Sequence, residues 1–154
     1  MKVAIGQDSH AFDLNVKNKP LILGGIEIPD ASGLRGNSDA DVVLHAITNA
    51  VSGITTVNIL GKIADDMCKQ GITDSAAYLA EALKYLDEKI VHLSISIEAL
   101  TPKLSPHIDT MRKNIAELLS IEPKSIGITA TTGEGLTAFG RGEGIQVFCV
   151  LTVK

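Results

Sequence analysis

The chain has 154 residues, 45% of them hydrophobic, with two tyrosines, three phenylalanines and no tryptophan. A chain of this length buries roughly 68% of the surface its unfolded form exposes, which is enough for one single-core domain spanning residues 1–154. Fourteen Lys and Arg against eighteen Asp and Glu give a formal charge of −4. That balance excludes a nucleic-acid binder relying on phosphate neutralisation, and the scarcity of aromatics removes stacking platforms for single strands.

Hydrophobic runs are short and interrupted by charge or glycine, so no membrane span is expected, and no basic stretch leads into an apolar one at the N-terminus. Cys68 and Cys149 share no metal-type spacing and fall in different predicted elements. A reducing cytoplasm is therefore the expected location.

In chain order, Val3 to Phe12 reads as a strand and Leu21 to Ile28 as a second, with the polar stretch Asp13 to Pro20 turning between them as a hairpin. Pro29 to Asn37, with Gly33 and Gly36, reads as a loop. Ser38 is placed as the N-cap of a helix running to about Ser52, with Asp39 and Asp41 in its first turn. Thr55 to Ile63 reads as a short helix ended by the acidic pair Asp65 and Asp66. Thr73 or Asp74 caps the next helix, whose apolar side is Leu79, Leu83 and Leu86. His92 to Leu100 alternates as a strand, Pro106 opens a helix to about Leu119, and Ser125 to Thr131 and Gly144 to Val153 are the last two strands. The order β-β-α-α-β-α-β lacks regular βαβ alternation. It predicts an α+β fold, a mainly antiparallel sheet of about four strands with helices on one face.

Asp8 and His10 lie two apart on a strand and leave it on the same face. His45 sits inside the first helix, with Asp41 and Asn49 four residues to either side. A carboxylate and two imidazoles suit Zn²⁺ with an open fourth position. A DxH pair arises easily by chance; the acidic run Ser38-Asp39-Ala40-Asp41 leading into His45 strengthens it, because carboxylates there can orient an imidazole. His92 and His107 read as surface and local structure. A second constellation, Thr131-Thr132-Gly133-Glu134-Gly135 followed by Phe139-Gly140-Arg141-Gly142-Glu143-Gly144, offers close backbone approach, a hydroxyl and a hard oxygen ligand for Mg²⁺ on phosphates. It is not a P-loop.

With Leu23-Gly24-Gly25-Ile26-Glu27-Ile28-Pro29 and Pro102-Lys103-Leu104 at matching spacings, these segments resemble the methylerythritol cyclodiphosphate synthases over essentially the whole chain. The resemblance implies a homotrimer with sites between subunits, binding a cytidine-diphosphate-linked methylerythritol 2-phosphate. That 2-phosphate attacks the β-phosphorus and CMP leaves, closing a cyclic diphosphate. Carried over by motif, Asp8, His10 and His45 hold Zn²⁺, and Glu134 holds Mg²⁺ or Mn²⁺ on the diphosphate. Asn37, Thr132 and Glu134 are the catalytic positions. Ser9, Ser38, Gly61, Asp65, Asp66, Gly133, Phe139 and Arg141 join the substrate contacts. Ala99, Leu100, Thr101, Pro102, Lys103 and Leu104 form the cytidine pocket.

Five positions depart from the family pattern: Asn37 for histidine, Asn49 and Ile59 for aspartate, Gly133 for threonine and Gln7 for an aromatic. Metal ligands persist while substrate contacts change. A metal-dependent diphosphate hydrolase and a non-catalytic diphosphate-binding protein therefore stand beside the cyclase as alternatives.

Overall fold

A computed structural model describes residues 1–154. Strand β1 (Lys2–Ala11) is followed by β2 (Pro20–Leu23) and β3 (Ile26–Ser32), then helices α1 (Val42–Thr55), α2 (Lys62–Lys69) and α3 (Ser75–Leu83). Strand β4 (Ile90–Glu98), helix α4 (Ile108–Leu119) and strands β5 (Ile126–Thr131) and β6 (Gly144–Val153) complete the chain. Four strands form the main sheet in the order β1-β6-β4-β5, and β2 and β3 form a separate two-stranded sheet.

The α+β class holds, but the main sheet is mixed rather than mainly antiparallel. β1 and β4 run antiparallel to β6, whereas β4 and β5 are parallel. The cause is α4, which carries the chain from the end of β4 back to the start of β5, and such a crossover makes its two strands parallel. The expected hairpin between the first two strands is also replaced. β1 pairs along its whole length with the C-terminal β6.

Strand alternation sorts the sheet into two faces. Ile145, Val147, Cys149 and Leu151 of β6 and Leu93, Ile95 and Ile97 of β4 point into the core beneath the helices. The opposite face is bare: Val3, Ile5, Phe148 and Val150 are 63%, 65%, 39% and 38% exposed, and Ile5 pairs with Val150 while Gln7 pairs with Phe148. No helix is long and apolar enough to cross a membrane.

Local differences from the sequence reading have local causes. The predicted strand Leu21 to Ile28 folds back on itself at Gly24 and Gly25, both at positive φ, so the expected loop after Pro29 begins as strand β3. Helix α1 is capped by Asp41 rather than Ser38, its side chain accepting from the Leu44 amide at 3.0 Å. Asp65 and Asp66 lie within α2 instead of ending a helix, and residues 57–60 are not helical. Asp74 caps α3 as expected, accepting from the Ala76 amide.

Candidate functional site

The site begins with an absent side chain. Gly6 of β1 lies against α1 so closely that a Cβ there would overlap the Ala46 carbonyl and the Ala50 amide. Gly53, one turn beyond Ala50 on the same face of α1, lies close against Ala4. This backbone-on-backbone packing lays α1 along the inner face of β1, and Asn49 fastens it by donating to the Gln7 carbonyl at 2.9 Å. His45 is thereby brought over Asp8 and His10, which strand alternation turns to the same inner face.

The three side chains converge. Asp8 Oδ2 lies 2.9 Å from His10 Nε2 and 3.0 Å from His45 Nδ1, and one ligand atom from each of the three lies within 4.8 Å of the others. His10 Nδ1 is 2.7 Å from the Arg35 carbonyl, which can only accept, so that nitrogen carries the proton and Nε2 presents a lone pair. On the other side, His45 Nε2 meets Ser75 Oγ at 2.9 Å, and Ser75 Oγ is hydrogen-bonded to the Asp39 carboxylate. Lone pairs of a carboxylate and two imidazoles thus face one point, an arrangement that needs a positive charge between them. A proton or a divalent metal ion satisfies it, and the one-oxygen, two-nitrogen donor set fits zinc.

The electrostatics agree. With a proton rather than a metal ion between the groups, burial works against ionising Asp8, yet hydrogen bonding with His10 and His45 outweighs it and holds the carboxyl at about 2. The hydrogen bond to Asp8 lifts the His10 imidazole above its usual range, against the opposing effect of burial. A raised histidine value contributes stability that is full below about pH 6.5 and is lost as pH climbs through the raised value. Metal-free protein is therefore expected to melt at a higher temperature at pH 6 than at pH 8.5. Added zinc, which must displace the His10 proton, should give its larger thermal gain at pH 8.5. Melting curves with chelator and with zinc at both pH values check the two signs.

A cleft of about 300 Å³ opens over the triad, lined also by Asn37, Ser38, Asn49, Gly61 and Asp65. Tyr78 and Cys68 complete its wall, and neither was singled out as a site residue from sequence. Ser75, the partner of His45, was missed as well; the one available signal was its place at the N-terminus of a capped helix. Asp66 does not line the cleft and pairs with Lys62 at 2.7 Å, and Ile59 is fully buried in the core.

The second constellation lies elsewhere in the same chain. None of the segments Ala99 to Leu104 or Thr132 to Arg141 lines the triad cleft. The loop after β5 is tied over the end of β4 by a hydrogen bond from Thr137 to Glu98 and by the Leu100 amide on the Phe139 carbonyl at 3.2 Å. β4 stands two strands from β1, a lateral separation on the order of 10 Å. Thr132, Glu134 and Arg141 are exposed on this loop, Phe139 is half-buried, and within the segment before α4 Ala99 and Leu104 are buried. A larger hollow of about 650 Å³ includes Phe12, Arg35, Thr101 and Pro102, but no cluster of converging ligands lies in it.

Gly133, one of the departures from the family pattern, has a structural cause. It sits at φ +78, and a Cβ there would lie 2.9 Å from Gly140 Cα and 3.0 Å from Glu98 Cδ. Restoring threonine is therefore expected to destabilise the protein by about 1–3 kcal/mol, since a β-branched residue resists positive φ. A Gly133→Thr variant melting as wild type would show that the loop accepts it.

A model of the YgbB family matches residues 1–154. The 2-C-methyl-D-erythritol 2,4-cyclodiphosphate synthase of Chlamydia trachomatis serovar L2b is 54% identical over 155 aligned residues, covering 99% of this chain and 87% of that protein. A solved structure of 2C-methyl-D-erythritol-2,4-cyclodiphosphate synthase superposes with a TM-score of 0.88 at 28% identity, over 99% of this chain and 100% of the other. A form of such an enzyme with CDP bound gives 0.85 at 26% identity, again over 99% and 100%. Full-length similarity on this scale, with the triad's geometry intact, places the chain: it belongs to the YgbB family.

Proposed function

We infer that this chain converts 4-diphosphocytidyl-2-C-methyl-D-erythritol 2-phosphate to 2-C-methyl-D-erythritol 2,4-cyclodiphosphate, releasing CMP. The observation that carries the reading is the convergence of Asp8, His10 and His45 beneath a cleft, in a chain 54% identical to a synthase of that name. An oxygen of the 2-phosphate forms a bond to the β-phosphorus, and the bond from that phosphorus to the CMP oxygen breaks with its electron pair. A phosphate monoester is already anionic near neutrality, so the nucleophile needs no strong general base.

Asp8, His10 and His45 would hold Zn²⁺, and Glu134 would hold Mg²⁺ or Mn²⁺; when bound, such ions polarise phosphoryl oxygens and offset developing charge. Asn37 and Ser38 stand at the cleft and can donate hydrogen bonds to phosphate oxygens, Asn37 without the charge a histidine would bring. Gly61 and Asp65, which line the cleft, would contact the sugar alcohol. Ala99 to Leu104 would receive the cytidine largely through backbone groups, and Thr132 and Arg141 would meet the phosphates.

Glu134 does not line the triad cleft of its own chain, which supports a site completed by a neighbouring copy. The bare apolar face of the sheet gives such copies a surface to cover, and a homotrimer places three equivalent sites between subunits. Ile5→Glu is expected to convert the assembly to monomers, read by sedimentation, and an unchanged molar mass would move the interface elsewhere. Free thiols at Cys68 and Cys149 accord with a cytoplasmic setting.

The deciding experiment incubates the protein with the cytidine-linked substrate, Zn²⁺ and Mg²⁺, and reads the products by mass. CMP with a cyclic diphosphate is expected. Linear phosphate products would make the protein a hydrolase, and binding without turnover would make it a diphosphate-binding relative.

A further inference from the structure

We propose that Asp39, acting through Ser75, sets which nitrogen of His45 faces the metal-binding triad. The proposal deepens the metal reading given above and rests on it. Ser75 is fully buried, and its hydroxyl has two neighbours, His45 Nε2 at 2.9 Å and an oxygen of Asp39. A carboxylate can only accept, so the hydroxyl hydrogen goes to Asp39. The hydroxyl oxygen then has only its lone pairs left for His45, and Nε2 must carry the hydrogen that meets them. Nδ1 is consequently the nitrogen with a free lone pair, and Nδ1 is the one turned toward Asp8.

Asp39 is itself held in place. Its Oδ1 accepts from the Asp41 amide at 3.1 Å, and its Oδ2 accepts from the Ser75 amide at 3.1 Å. Its own amide donates to the Thr73 carbonyl at 2.9 Å. Both carboxylate oxygens are therefore spoken for, and the start of α3 is fastened to the turn before α1. An asparagine at this position cannot reproduce the pattern. If its oxygen keeps the Ser75 amide, its NH₂ faces the Ser75 hydroxyl, which must then donate to His45 Nε2 and force the proton onto Nδ1. If its oxygen keeps the hydroxyl, the NH₂ confronts the Ser75 amide donor. Ser75→Ala removes the acceptor altogether and leaves a buried Nε2–H unpaired, so the imidazole gains by moving its proton to Nδ1, beside Asp8. Asp39 and Ser75 are positioning residues: neither offers an atom to the metal, and both act through the far nitrogen of His45.

The test measures zinc affinity by competition with a chromophoric chelator for wild type, Ser75→Ala and Asp39→Asn, with folding checked by circular dichroism. Nitrogen-15 spectra of the histidine side chains in the zinc-loaded wild type report which ring nitrogen is protonated. The expected result is His45 with Nε2 protonated and Nδ1 on the metal, and zinc held about 10–100-fold more weakly by either folded variant. Zinc on Nε2 of His45, or folded variants with wild-type affinity, overturns the relay while leaving the metal reading in place. Wild-type protein that takes up no zinc overturns the metal reading and the relay with it. Should Asp39→Asn fail to fold, the wild-type spectrum and Ser75→Ala still decide.

Discussion

Gly6→Ala is expected to lower stability by about 3 kcal/mol or more and to weaken zinc binding at least about tenfold, although Gly6 touches neither metal nor substrate. The added methyl would collide with backbone atoms, the Ala46 carbonyl and the Ala50 amide, and would stand 3.0 Å from Ala50 Cα. Backbone in a helix cannot step aside as a flexible side chain can, so α1 must lift away from β1. His45 precedes Ala46 and moves with it, and metal–ligand distances must stay within about 0.2 Å of their standard values. For a chain of this size the stability loss corresponds to a fall in melting temperature of about 6–12 °C. Thermal melting and chelator competition on the same preparation check both parts. A variant that melts with wild type and keeps its zinc affinity would mean that the close approach does not seat His45.

The second large effect is expected at Asp41, a carboxylate with no exposure at all. Its oxygens accept from the Gly24 amide at 2.9 Å, the Gly25 amide at 2.6 Å and the Leu44 amide at 3.0 Å. One residue thus caps α1 and fixes the β2–β3 turn against it. Burial pushes the carboxyl up to about 6, against the pull of the three amides, so it remains ionised at neutral pH. Asp41→Ala removes a helix cap, worth about 1 kcal/mol, and leaves two further amides without a partner, at about 1–3 kcal/mol each. A loss of about 4 kcal/mol is expected in urea unfolding, a large share of a typical domain's stability. A loss below about 1 kcal/mol would show that water takes over the three amides.

The residues of the metal triad were legible because strand periodicity alone puts Asp8 and His10 on one face, and the helix carrying His45 announces itself by its acidic start. The β6 partner of β1 was not legible, because pairing between the two ends of a chain leaves no local pattern. The parallel β4–β5 pair was implicit in the strand–helix–strand order but was outweighed by the irregular layout around it. Asp41 looked like one of several first-turn acids; only the fold shows that its carboxylate serves a turn sixteen residues upstream. Ser75 was missed for a related reason, since its partner His45 is thirty residues away. Gly133 read as a lost hydroxyl, and the structure shows a backbone conformation that suits glycine.

That Glu134 does not line the triad cleft of its own chain has a genetic consequence. Under the assembly proposed above, a lesion in His45 and a lesion in Glu134 damage different halves of each shared centre. Two defective alleles, one of each kind, would then form mixed assemblies in which some junctions join an intact half from each parent. Such a pair would complement within a single gene, whereas two alleles lesioned in the same half would not.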